Sequence, residues 1–121
     1  MKLRQRLPAA ATAAASHVNG IDLDKPIFTL SVASEILEVH PRTLMMYEHL
    51  SMIQPKRTVT NRRRYSRRDV MKLQAIQTLT REHHVNLAGV RHILALLKRL
   101  HNAGVEPPDG LKNLDVSQLD V

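Results

Sequence analysis

The sequence predicts a mainly α-helical winged helix-turn-helix with a small two-stranded wing and a C-terminal dimerisation helix. Three observations lead there. Two short helical stretches, 31–37 and 41–50, follow each other with almost no linker. Residues 51–72 then hold eight Lys and Arg against one acid, an excess equal to the chain's whole net charge of +7. Finally, a pattern over 86–104 repeats apolar residues at steps of three and four before Gly104 and Pro107-Pro108 stop it.

The elements can be justified in order. Residues 1–26 are expected to be a disordered, alanine-rich basic tail without the long apolar stretch of a secretory signal. The winged helix-turn-helix is expected over 27–85. Ser31 can cap the first helix, with Val32, Ala33 and Ile36 facing the core. Pro41 suits the first position of the second helix, where a missing N–H costs nothing. Val39 and Leu44 have the spacing of a hydrophobic staple that fixes how the chain enters that helix. Leu44, Tyr47 and Leu50 should be partly buried.

Met52-Ile53 and Arg63-Arg64-Tyr65 read as short extended pieces around a turn near Thr60-Asn61, a wing too small to stand alone. Ser66 and Asp69 form a capping box for a helix carrying Val70, Leu73, Ile76 and Leu79 on one face and ending near His83-His84. Asn86 can cap the last helix, 86–104. Its Val90, Ile93, Leu97 and Leu100 make an a/d seam, which can serve a partner chain or simply the core. Residues 105–121 read as a loose acidic tail whose Leu111, Leu114 and Leu119 can dock.

Charge placement points to a polyanion, and a short helix beside a guanidinium-rich loop suits double-stranded DNA. Arg42 lies near the start of the second helix, where it can grip guanine O6 and N7 or instead pair with Glu38 or Glu48. Thr43 can bond a phosphate, touch a thymine methyl or merely serve the helix. His40 can donate to a phosphate or cap the helix. Tyr47 can put its ring in the core and its hydroxyl at the backbone of DNA. In the wing, Arg57, Arg62, Arg63 and Arg64 are the expected phosphate contacts, two or three of them at once because alternate residues face opposite ways. Tyr65 is expected beneath the wing with its hydroxyl available.

Other classes do badly. With no cysteine there are no disulfides and no thiolate metal sites. The seven histidines are scattered, and adjacent His83 and His84 point about 100° apart on a helix, so no metal site and no cofactor are expected. No Gly-rich phosphate loop, nucleophile elbow or convergent carboxylate pair suggests an enzyme. No apolar run approaches the roughly 20 residues that cross a bilayer, so a cytoplasmic protein without a membrane partner is expected.

Several motifs together resemble the MerR family of regulators in order and spacing. They are Phe28-x-Leu30-Ser31-Val32-Ala33, Thr43-Leu44-x-x-Tyr47-Glu48, Ile53-x-Pro55-x-Arg57 and Arg64-Tyr65-Ser66-x-x-Asp69. His40-Pro41-Arg42-Thr43-Leu44 and Asn86-Leu87-Ala88-Gly89-Val90 look more narrowly like its heat-shock repressor branch, HspR. The resemblance implies a homodimer on an inverted-repeat operator, repression of stress and chaperone genes, and a DnaK-like chaperone as co-repressor. Two departures stand out: Met45 replaces an arginine usual in the family, and Ser51 replaces a helix-ending glycine. Two other functions remain open, a module that binds a chaperone or co-chaperone without DNA, and an excisionase-type accessory factor sharing the winged fold.

Overall fold

The computed structural model describes residues 17–18 and 20–121. Strands β1 (His17–Val18) and β2 (Ile21–Asp22) form a hairpin, and β3 (Phe28–Thr29) leads directly into helix α1 (Leu30–Leu37). Helix α2 (Pro41–His49), strands β4 (Lys56–Arg57) and β5 (Arg63–Tyr65), helix α3 (Arg67–Gln77) and helix α4 (Leu87–Asn102) follow. A π-helical turn, Thr78–Glu82, extends α3, and a 3-10 turn, Asp109–Leu111, lies in the C-terminal segment.

Local chemistry fixes each boundary. Thr29, not Ser31, caps α1: its side chain accepts from the Val32 amide at 3.1 Å, which places Ser31 inside the helix. The buried face of the helix also differs from the expected one. Ala33, Ser34 and Leu37 are buried, whereas Val32 and Ile36 face solvent. Pro41 occupies the first turn of α2 as expected. Helix α2 closes through Ser51 at φ 60, with Ser51 N donating to Glu48 O at 2.9 Å and Met52 N to Tyr47 O at 2.8 Å. Ser51 therefore adopts the left-handed conformation in which glycine would be unstrained. The Ser66–Asp69 capping box forms in both directions, and Asn86 caps α4 by accepting from Gly89 N at 2.8 Å. A Cβ on Gly89 would lie 3.0 Å from Val85 Cγ1 and 3.3 Å from the capping oxygen, so a bare residue lets this cap close.

The wing is larger than the sequence suggests. β5 pairs antiparallel with β4 on one side and with β3 on the other, giving the order β3-β5-β4. Met52 and Ile53 are buried residues between α2 and the sheet, and the outer wing strand is Lys56–Arg57 instead. Their apolar character reflects core duty. The turn falls where expected, with Asn61 at φ 63 and Thr58 N bonded to Arg62 O at 2.9 Å.

The core is aliphatic, built from Leu37, Leu44, Leu73, Ile76, Leu79, Val90, Leu94 and Leu97 around Tyr47 and Tyr65. Two side chains bolt the helix-turn-helix to it. Gln77 Nε2 donates to Leu37 O, and Arg91 Nη2 donates to Leu50 O, each at 2.8 Å, so α3 and α4 hold the C-terminal ends of α1 and α2.

Three further expectations are corrected. Val90 and Leu97 of the expected seam are buried in the chain's own core, and Ile93 and Leu100 pack against it, because α4 meets the π-helical turn after α3 and the C-terminal segment. The C-terminal segment is docked rather than loose. Val116 and Leu119 are buried, and Lys98 Nζ donates to the carbonyls of Val116, Ser117 and Leu119 at 2.9–3.2 Å. The fold also begins before residue 27. Leu23 is buried, its carbonyl accepts from Arg68 N at 2.9 Å, and Asp24 pairs with Arg68 Nε at 2.7 Å. Residues 1–16 and 19 of the expected N-terminal tail lie outside the described residues.

A docked tail has a measurable consequence. Leu119→Ala should destabilise the protein by about 2–4 kcal/mol through lost burial and the cavity left behind. Chemical denaturation checks this; an unchanged midpoint would return the segment to a loose tail.

Candidate nucleic-acid interface

The wing strands create an electrostatic problem. Their register sets Lys56 opposite Arg64 and Arg57 opposite Arg63, and like charges directly across a ladder repel. Glu48, from the last turn of α2, answers the second pair. Its Oε2 accepts from Arg57 Nη2 at 2.8 Å and its Oε1 from Arg63 Nε at 2.6 Å. Burial alone would raise the Glu48 pKa, but the two guanidinium bonds and charges outweigh it and hold the carboxyl below its usual range. One carboxylate thereby ties both wing strands to the second helix of the helix-turn-helix. The Tyr47-Glu48 dipeptide was visible in the sequence; that its acid would find wing arginines 9 and 15 residues away was not.

This arrangement divides the expected contacts. The Arg62 side chain is exposed on the wing and bonds to nothing among the described residues, as is true of the Arg42 side chain at the start of α2. Arg42 pairs with neither Glu38 nor Glu48. Arg57 and Arg63 are anchored by Glu48, with Arg57 Nη1 also reaching Asn61 O at 3.3 Å. Their remaining N–H groups are still donors, but the primary task of the pair is to set the wing. Arg64 Nη1 donates to Arg63 O at 2.9 Å. Elsewhere in the basic window, Arg68 and Lys72 hold segments flanking the helix-turn-helix, Arg68 through Asp24 and Gln118 O and Lys72 through Asp120 O. Lys56 and Arg67 are exposed cations that the sequence reading passed over.

A groove of about 430 Å³ lies where the starts of α1 and α2 meet the wing, lined by Thr29, Ser31, Pro41, Asn61, Arg62, Arg63 and Arg64 among others. Two helix N-termini and three arginines border it, which suits a phosphate backbone. A larger cavity of about 530 Å³ carries Lys56, Arg68 and Lys72 against Asp24, Asp69 and Asp120, a balanced set with no preference for a polyanion.

The remaining expected contacts sort clearly. His40 is the cap of α2: Nδ1 accepts from Arg42 N at 3.0 Å, which requires Nδ1 to be unprotonated and leaves Nε2 as the outward donor of the neutral ring. Thr43 is half-buried beside it, and its amide donates to His40 O at 2.9 Å. Tyr47 is 7 % exposed, and burial raises its phenol pKa against the opposing charge of Arg81. Tyr65 is a correction. It is wholly buried, its hydroxyl finds no partner among the described residues, and burial pushes its pKa up to about 12. Strand β5 turns Tyr65 inward between β3 and β4, so it supports the wing from beneath and its hydroxyl is not available at the surface.

With this geometry in view, the comparisons with known proteins agree. A family model described as the MerR HTH family regulatory protein matches residues 28–97. The chain belongs to the MerR family. The matched segment carries a helix-turn-helix of MerR type, and the family is one of regulatory proteins. A Streptomyces coelicolor protein named as heat shock protein HspR is 40% identical over 73 residues, 60% of this chain and 48% of that relative. The match thus spans about half of the Streptomyces protein. The HTH-type transcriptional regulators GlnR of Bacillus anthracis and Bacillus cereus are each 29% identical over 94 residues, 78% of this chain and 71% of theirs. Among the described residues no helix is long and apolar enough to cross a membrane.

Two predictions follow from the MerR-type wing. Because the folded pKa of Glu48 is lowered, its stabilisation is complete above the unfolded value near 4.5 and fades as pH falls through the folded one. Glu48→Gln should cost on the order of 1 kcal/mol at neutral pH and flatten the stability–pH curve below 4.5, read by denaturation across pH. Tyr65→Phe should leave stability unchanged or raise it by up to about 1 kcal/mol, since the hydroxyl it removes is buried and unpaired. A loss of more than that in thermal melts would mean the hydroxyl has a partner.

Proposed function

We propose that the protein is a repressor of stress and chaperone genes that binds an inverted-repeat operator as a homodimer, with a DnaK-like chaperone as co-repressor. The observation that carries the choice of genes is the 40% identity over 73 residues to the Streptomyces heat shock protein HspR. The geometry supplies the means. Helix α2 presents the Arg42 side chain without a partner among the described residues, and the wing sets Arg62 and Arg64 beside the groove. A helix for base edges flanked by cations for phosphate is what an operator half-site needs.

Dimerisation would use a stripe of α4 next to the one that fills the core. Leu96 is 60% exposed, and at helical spacing it joins the half-buried Ile93 and Leu100 on one face. Val90 and Leu97 would serve the core while these three meet the partner. Two copies related by a two-fold axis would then read the two halves of an inverted repeat.

Retention of sheared genomic DNA on the purified protein at about 150 mM salt, a strength at which unspecific binding is largely screened, tests this. Recovery of a few promoters sharing an inverted repeat next to chaperone genes is expected. Uniform recovery would sink the repressor reading. On such an operator, Arg42→Ala should cost on the order of 1–3 kcal/mol and relax specificity at one base pair. Arg62→Ala should weaken all sequences alike and reduce the salt slope by roughly 0.9.

A further inference from the structure

Four residues of α2 face away from the core. Arg42, Met45, Met46 and His49 stand at positions i, i+3, i+4 and i+7, and at about 100° per residue they fall within an arc of roughly 100°. All four are exposed, Met45 at 41% and Met46 at 44%, while Leu44 and Tyr47 on the opposite side are buried. The stripe is apolar at its centre and has a basic or titratable group at each end. Two neighbouring methionines left in water on a nine-residue helix are costly unless something covers them.

We propose that Met45 and Met46 are specificity-determining residues that read thymine 5-methyl groups in the major groove, next to a guanine gripped by Arg42. The inference rests on the regulator reading above and deepens it. Thymine is the base whose major-groove edge carries an apolar group, so an apolar side chain on a reading helix discriminates by burying that methyl. A thioether on a flexible, unbranched stem fits this contact and offers no strong hydrogen bond to the other three bases. Charge complementarity selects DNA over a protein partner as the occupant. The arginine-lined groove adjoins the N-terminus of the same helix, the Arg42 side chain has no partner among the described residues, and Glu48, the acid of this helix, is consumed by Arg57 and Arg63. The face that remains is cationic at its margins and apolar between them. The half-site it fits has guanine beside thymine.

The full chain tests this on an operator duplex recovered from genomic DNA, with each thymine replaced in turn by deoxyuridine, which removes only the methyl group. In the wild type, one or two replacements per half-site should weaken binding about three- to fivefold, the worth of one buried methyl. In Met45→Ala and Met46→Ala the corresponding replacement should have no further effect, and Met45→Leu should restore part of the discrimination. Both methionines are exposed, so unchanged thermal melts will show that the variants fold. Equal affinity for every uracil-containing duplex, with specific binding otherwise intact, overturns the inference and leaves the regulator reading standing. Absence of any sequence preference in the wild type defeats both. If the alanine variants bind DNA as the wild type does but lose self-association in sedimentation, the stripe is a protein interface and the inference fails.

Discussion

The structure turns on a carboxylate placed between two guanidinium groups. A wing dense in cations is useful for gripping phosphate, but its own strands then face each other charge against charge. Glu48 resolves the conflict at Arg57 and Arg63 and in doing so fixes the wing relative to α2. The bond pair is partly buried, so water screens it less than it would a surface pair. Reading head and phosphate grip therefore behave as one body. Residues that remain free, Arg42 and Arg62, inherit a fixed spacing from this anchor, and DNA recognition depends on spacing.

The same economy governs the rest of the basic window. Arg68 ties the N-terminal arm to the C-terminal segment through Asp24 and Gln118, and Lys98 on α4 collects three tail carbonyls. These contacts complete a small, aliphatic core that the two helices of the reading head cannot close alone. They also explain why the excess positive charge overstates the DNA-facing surface. Several of its members are structural, each satisfying carbonyls or carboxylates that would otherwise be left at the margin of the core.

Helix α4 shows how a periodic pattern can be right about the helix and incomplete about its partner. Val90, Ile93, Leu97 and Leu100 do form an apolar stripe, but the chain's own core claims much of it. Leu96, between the heptad positions, stays 60% exposed. A sequence stripe reports that a face is buried somewhere. It does not report whether the burying surface belongs to the same chain.

What the sequence by itself determined is local. Ser66 with Asp69, Asn86 three residues before Gly89, and His40-Pro41 fix helix starts through contacts within one turn, and each is legible because its partner is a neighbour in the chain. The family motifs from Phe28 to Asp69 likewise record the order of elements. Tertiary structure alone decided what joins residues far apart. Tyr65, with β3 paired on the other side of β5, is buried with its hydroxyl rather than left available, and Met52-Ile53 left the wing because the core needed them. Glu48 became the anchor of the wing, and Arg68 linked residues 44 and 50 positions away, because folding brought opposite charges together that no periodicity could relate. Caps and turns are written in adjacent residues; which cations remain free for DNA is settled only when every acid and carbonyl has been placed.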